Sequence, residues 1–174
     1  YMLFAAAWGA GVATAVAAVV NTALFEDFIH YLGDVGSAAV RAAVVVAPFS
    51  EEILKGLGVA LILVVGRRFV VSVSNGVAVG GLAGAGFAFT ENILYFAQAH
   101  AEGTSSLGIT IFARAVMSPF VHPLATSFIG VGVAAAILGP KGIWQRCWRV
   151  GLGWIAAMIV HAAWNGLASR GVEW

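Results

Sequence analysis

Residues 37–65 read SAAVRAAVVVAPFSEEILKGLGVALILVV, and this stretch decides the fold. It is long enough to cross a bilayer as a helix, which takes about 20 largely apolar residues at about 1.5 Å each. Yet Glu51, Glu52 and Lys55 lie near its middle, with Pro48 just ahead of them. Proline lacks a backbone donor and crowds the preceding turn, so a kink or break is expected at Pro48. Apolar runs of similar kind recur at about 2–20, 75–98, 115–138 and 148–168, the fourth beginning somewhere between Ile109 and Pro119. The pattern predicts an all-α, polytopic transmembrane helical bundle of about five spans, forming one integral membrane domain over residues 1–174. A short amphipathic piece, 21–36, carries Glu26, Asp27, His30 and Asp34 between the first two spans.

Composition agrees. Hydrophobic residues make up 61% of the chain and charged residues 10%, against about 25% charged in soluble domains, so the polar surface that water requires is missing. A formal net charge of +1 gives no footing for nucleic acid. Cys147 is the lone cysteine and reads as an unremarkable residue near a loop. Tyr1 already lies in an apolar run, as in a chain trimmed at its amino end. That run has no basic stretch ahead of it, so it reads as a retained span. Arg67 and Arg68 fall between spans two and three; Lys141, Arg146 and Arg149 fall between spans four and five. The excess of positive charge places the 66–74 and 139–147 loops in the cytoplasm, with the amino end inside and the carboxyl end outside a cell membrane. Trp144, Trp148 and Trp174 fit interfacial anchors, the role expected of most of the six tryptophans.

Glu51, Glu52, Lys55 and Glu91 lie within spans, where each charge costs about 2.5–3.5 kcal/mol at a helix centre. Glu51 and Lys55 are four apart and should pair, with Glu52 turned about 100° away. Gly76, Gly80, Gly84 and Ala88 form a small-residue stripe that lets a neighbouring backbone come close; it reads as packing, not a phosphate loop. Glu91, seven beyond Gly84, lies on nearly the same face. Arg114, Ser118, His122 and Thr126 make a polar stripe in span four, as do His161 and Asn165 in span five. These stripes imply a shared hydrated cavity, with Glu91 and His161 roughly 10–14 Å below the outer ends of their spans. The site is therefore expected to open to the extracytoplasmic side. Arg114 reads as a snorkelling or pairing residue, and His30 and His100, in loops, carry no functional reading.

Several carboxylates in one poorly solvated cavity suit a site that needs both a general base and a general acid. A carboxylate could activate water, while His161 and Asn165 stabilise the oxyanion formed at a peptide carbonyl. No cofactor is required for this. The alternative is zinc, held by members of the set Glu52, Glu91, His122 and His161, although no HExxH motif is present. Purely structural roles for the same residues would make the chain a non-catalytic scaffold or chaperone-like subunit. A proton-coupled transporter is a further rival, but inverted repeats and paired broken helices are not evident.

The ordered set Glu51-Glu52-x-x-Lys55, Phe87-x-x-x-Glu91-Asn92, His122-x-x-x-Thr126 and His161-x-x-x-Asn165 resembles the motifs of PrsW-type intramembrane proteases, relatives of the CAAX-prenyl endopeptidases and of the polytopic scaffold subunit of gamma-secretase. The resemblance covers about residues 40–168; nothing before about 36 contributes to it. It implies an intramembrane endopeptidase making the first, extracytoplasmic cut in regulated proteolysis of a single-span membrane protein such as an anti-sigma factor. It further implies Glu51 or Glu52 as the base, Glu91 as a residue that positions the water, and His161 with Asn165 as oxyanion donors. Lys55, Phe87, Asn92 and Thr126 would support them. The prenyl endopeptidases carry His where Glu91 stands and Arg where Lys55 stands, which speaks against a CAAX substrate.

Overall fold

The structure, a computed structural model, describes residues 1–139 and 142–169; Lys141 and Trp174 lie outside them. Helix α1 runs over Met2–Leu32, with a π-turn at Trp8–Ala13, and stops at Gly33, whose φ of 67° suits a residue without a Cβ. Residues 21–32 of the expected amphipathic piece thus continue the first helix. Asp34 opens the next one by accepting a 2.7 Å hydrogen bond from the Ser37 backbone N–H. The Ser37 hydroxyl and N–H hold the Asp34 carboxyl below its ordinary range.

Helix α2 covers 35–65 as Val35–Arg41, a π-turn at Ala42–Val46, and Ala47–Val65. The chain stays helical through Pro48, where a kink or break was expected. The proline ring would crowd the carbonyl of Val44, four residues back, and the wider turn lies at that place. Helix α3, Val73–Glu102, begins with a capping box in which Ser72 and Asn75 satisfy each other's backbone. Helix α4 comprises Thr104–Ile111 and a π-turn at Phe112–Met117; the chain breaks at Ser118–Phe120 and resumes as α5, Val121–Leu138. Helix α6 is Ile143–Ala168.

Four segments, Met2–Leu32, Val73–Glu102, Thr104–Leu138 and Ile143–Ala168, are long and apolar enough to cross a membrane. Helix α2 is of similar length and carries the four charged residues Arg41, Glu51, Glu52 and Lys55. About five spans is consistent with this, and the chain is a multi-pass membrane protein. Large apolar side chains such as Phe89, Leu124 and Ile159 face outward, whereas Lys55 and Glu52 are among the largest side chains that are fully buried. A soluble fold distributes these the other way round.

Small residues bring the helices together. Gly76, Gly80 and Gly84 of α3 lie against the backbone carbonyls of Gly130, Thr126 and His122 on α5, so that a Cβ at any of the three would collide with main chain. On α1, Ala5, Gly9, Ala13 and Ala17 form a second buried stripe, with Gly9 against the Ala83 carbonyl of α3. Val59, Leu63, Val79, Ile129 and Ala157 build an apolar core in the half of the bundle nearer the α2–α3 connection, leaving the polar side chains the other half. Two tryptophans brace α2. The Trp8 indole N–H donates to the Leu54 carbonyl at 2.9 Å and that of Trp154 to the Glu52 carbonyl at 3.0 Å, their rings resting on Gly58 and Gly56. These two are internal, whereas Trp144 and Trp148 point outward as expected of anchors.

The close approach at Gly84 makes a direct prediction. Gly84→Ala should lower stability by about 1–3 kcal/mol through overpacking, read as an earlier thermal transition in detergent micelles. Gly108→Ala meets open space and should not.

Candidate active site

Helices α2, α3, α5 and α6 deliver Glu51, Glu52, Lys55, Glu91, His122, Thr126 and His161 to one buried cluster. Helix α2 supplies three of these because positions 51, 52 and 55 fall on neighbouring faces of one turn. The pairing within that turn differs from expectation: Lys55 Nζ lies 2.6 Å from Glu52 Oε1 and 3.7 Å from Glu51 Oε2. Spacings of three and four both allow a helical ion pair, and the nearer contact goes to Glu52.

Glu52 is fully hydrogen-bonded. Its Oε1 accepts from Lys55 and, at 3.0 Å, from His161 Nδ1; its Oε2 accepts from the Thr126 hydroxyl at 3.0 Å. Lys55 also donates to His122 Nδ1 at 3.0 Å and sits 4.3 Å from the centre of the Phe87 ring. An ammonium can only donate, so His122 Nδ1 accepts and its Nε2–H donates to Glu91 Oε2 at 3.0 Å. Glu91 also pairs with Arg114, which hydrogen-bonds Asn92 Oδ1 at 2.8 Å and stacks 4.1 Å over the Tyr95 ring. The pairing role read for Arg114 is therefore what the structure displays.

Glu51 is different. Its Oε1 accepts from Asn21 Nδ2 at 3.1 Å, while its buried Oε2 has no hydrogen-bond partner among the described residues. That oxygen lies 3.8 Å from His161 Nε2 and 3.9 Å from His122 Nδ1. With Nδ1–H of His161 given to Glu52, the neutral ring turns its Nε2 lone pair towards Glu51, so at the cluster it offers an acceptor rather than the N–H expected of an oxyanion donor. Three carboxyl groups thus share two permanent cations, Lys55 and Arg114, and the closest contacts of both cations go to Glu52 and Glu91 rather than to Glu51.

Such a site suits a cation. Glu51, His122 and His161 each offer one ligand atom, all within 4.8 Å of one another. Tetrahedral zinc with ligands at about 2.0–2.2 Å sets them roughly 3.4 Å apart, about half an ångström closer than the two Glu51–histidine distances of 3.8 and 3.9 Å. Glu52 and Glu91 instead hold the second nitrogen of each histidine, the usual device for fixing a ligating ring. The trio thus differs from the expected zinc set in containing Glu51 and not Glu52 or Glu91.

Asn165 stands apart from the carboxylates. Its Nδ2 donates to the Ala43 carbonyl of the α2 π-turn at 2.8 Å. Together with Asn92, Arg114, Ser118 and His122 it lines a cavity of about 20 Å³ beside the cluster, room for one water.

The family model for PrsW family intramembrane metalloproteases matches residues 1–174, the whole chain. The chain belongs to the PrsW family. No curated protein and no solved structure matches it. This PrsW-family chain is accordingly an intramembrane protease, and its substrate is membrane-embedded. The match reaches past the 40–168 region of motif resemblance to include α1, from which sequence reading drew no functional residue. Helix α1 supplies Asn21, which touches Glu51, and Trp8, which holds the α2 backbone. A signal for Asn21 was present: it continues the Ala5, Gly9, Ala13, Ala17 stripe at the same interval of four.

The charge balance of the PrsW-family cluster predicts that Lys55→Met costs about 3–5 kcal/mol, since it strips a buried carboxylate of its partner. Chemical unfolding in micelles should show this as a large fall in the midpoint, with Lys55→Arg falling less.

Proposed function

We propose that the chain is an endopeptidase that hydrolyses a peptide bond of a single-span membrane protein near the extracytoplasmic face of the cell membrane. In this reading it makes the first cut in regulated proteolysis, for instance of an anti-sigma factor. The observation that carries the chemistry is Glu51 Oε2, without a hydrogen-bond partner among the described residues, buried and facing His161 Nε2 and His122 Nδ1. These three atoms would hold the metal, with zinc favoured by the N/O donor set. A metal bound there would acidify water and polarise the scissile carbonyl.

The remaining roles belong to the chain's own groups. Glu52 and Glu91 keep His161 and His122 in the orientation that presents a lone pair to the centre. Glu91, beside the cavity and paired with Arg114, positions the attacking water, takes a proton from it and passes that proton to the leaving amine. Asn165, with one amide N–H engaged at Ala43, has a second to offer a developing oxyanion beside His122. Lys55 keeps its ion pair with Glu52 and preserves the charge balance.

One contact favours a metal-free version. The Lys55 ammonium already lies 3.0 Å from His122 Nδ1 and 3.7 Å from Glu51 Oε2, so a positive charge stands where a metal would. In that version Glu51 Oε2 is itself the base.

Purified protein in proteoliposomes with candidate single-span substrates decides between them. Elemental analysis should find about one zinc per chain, chelation should stop cleavage, and Glu51→Gln should lower cleavage by about 100-fold or more without unfolding the protein. Cleavage that survives chelation would leave only the metal-free version standing. A folded protein that cleaves nothing would point to a non-catalytic scaffold.

A further inference from the structure

Asn21 lies outside every motif that carries the proposed chemistry, yet its carboxamide touches the residue on which that chemistry turns. The small-residue stripe of α1 seats this face of the helix deep in the bundle, and Asn21 is the polar residue with which the stripe ends. Its Nδ2 donates to Glu51 Oε1 at 3.1 Å, and its Oδ1 accepts from the Ser50 hydroxyl at 2.5 Å. Against an ionised Glu51 this is the amide orientation that works, because the flipped one would set Oδ1 against a carboxylate oxygen, acceptor against acceptor. Ser50 Oγ also lies 2.9 Å from the Val46 carbonyl, but it carries one proton, and Asn21 Oδ1 is the nearer acceptor.

We infer that Asn21, held by Ser50, is a positioning residue for Glu51. By occupying Oε1 it delivers Oε2 alone to His122 and His161, and it opposes rotation of the carboxylate towards the Lys55 ammonium, 3.7 Å away. The inference rests on the reading of Glu51, His122 and His161 as the hydrolytic centre. Ordering a ligating or reacting group through its outer partner is a recurrent arrangement, and loss of such a partner typically lowers metal affinity or activity by about 10–100-fold.

The experiment uses the full chain in micelles, with Zn²⁺ alone as the binding probe and cleavage of a single-span substrate as the second readout. Asn21→Ala should weaken Zn²⁺ binding by about 10–100-fold and lower kcat to a similar degree with KM unchanged, at an unaltered melting temperature. Asn21→Asp, which sets a carboxylate against Glu51, should lose at least as much, and Ser50→Ala should lose less. Ser50→Ala added to Asn21→Ala should cost nothing more, because Ser50 acts through Asn21. Ser50→Thr should restore function.

Wild-type Zn²⁺ affinity and turnover in Asn21→Ala, or losses that add as independent sites do, would overturn the inference while leaving the hydrolytic centre intact. If Asn21→Ala does not fold, Ser50→Ala decides: unchanged Zn²⁺ affinity and kcat overturn it. A wild-type protein that neither binds Zn²⁺ nor cleaves would sink the centre and the inference together.

Discussion

One buried ammonium organises the polar half of this bundle. Lys55 has no exposed surface and sits among Glu51, Glu52, His122 and the face of Phe87. An isolated charge at that depth would be prohibitively costly, and so would the carboxylates around it. Each is tolerable only because the others are present, so helices α2, α3, α5 and α6 are held in register by charges that cannot be removed one at a time. The pairing also imposes chemistry on its neighbours: since Lys55 can only donate, it fixes the tautomer of His122 and thereby gives Glu91 an N–H to accept.

Two adjacent glutamates consequently have separate surroundings. Glu52 is saturated by Lys55, His161 and Thr126, with Trp154 on its backbone carbonyl, and acts as a fixed brace. Glu51 keeps one buried oxygen unpartnered among the described residues. A polar atom left in that state is a reservoir of unspent interaction, and such atoms concentrate where a ligand or reacting group is expected.

Much of this was legible in the sequence. Charges inside apolar runs announced a site, and the glycine interval on α3 announced a face that a neighbouring backbone approaches, which the structure shows to be that of α5. The order of the Glu, His and Asn motifs also named the family. What could not be read were choices between near-equivalent options. Positions 51 and 52 both lie within reach of Lys55, and only the packing of His161 and Thr126 around Glu52 decides which is nearer. Pro48 predicts disruption, but the disruption is absorbed as a wider turn that keeps the helix whole. Asn21 lies on the legible small-residue stripe of α1, but its role was not readable for another reason. A lone amide in a region read as an amphipathic connector gains its meaning from Glu51, thirty residues on, and from a helix that continues where the apolar run ends.

The seating of Gly84 against the His122 carbonyl has a last implication. The imidazole's height in the bundle is set by main chain touching main chain, with no side chain in between to swell or shrink. Residues on the outer surface, Phe89 or Ile159 among them, can therefore drift with the thickness and composition of the surrounding lipid while the spacing of the reacting groups stays constant. A protease built this way can be carried between membranes of different character without retuning its centre.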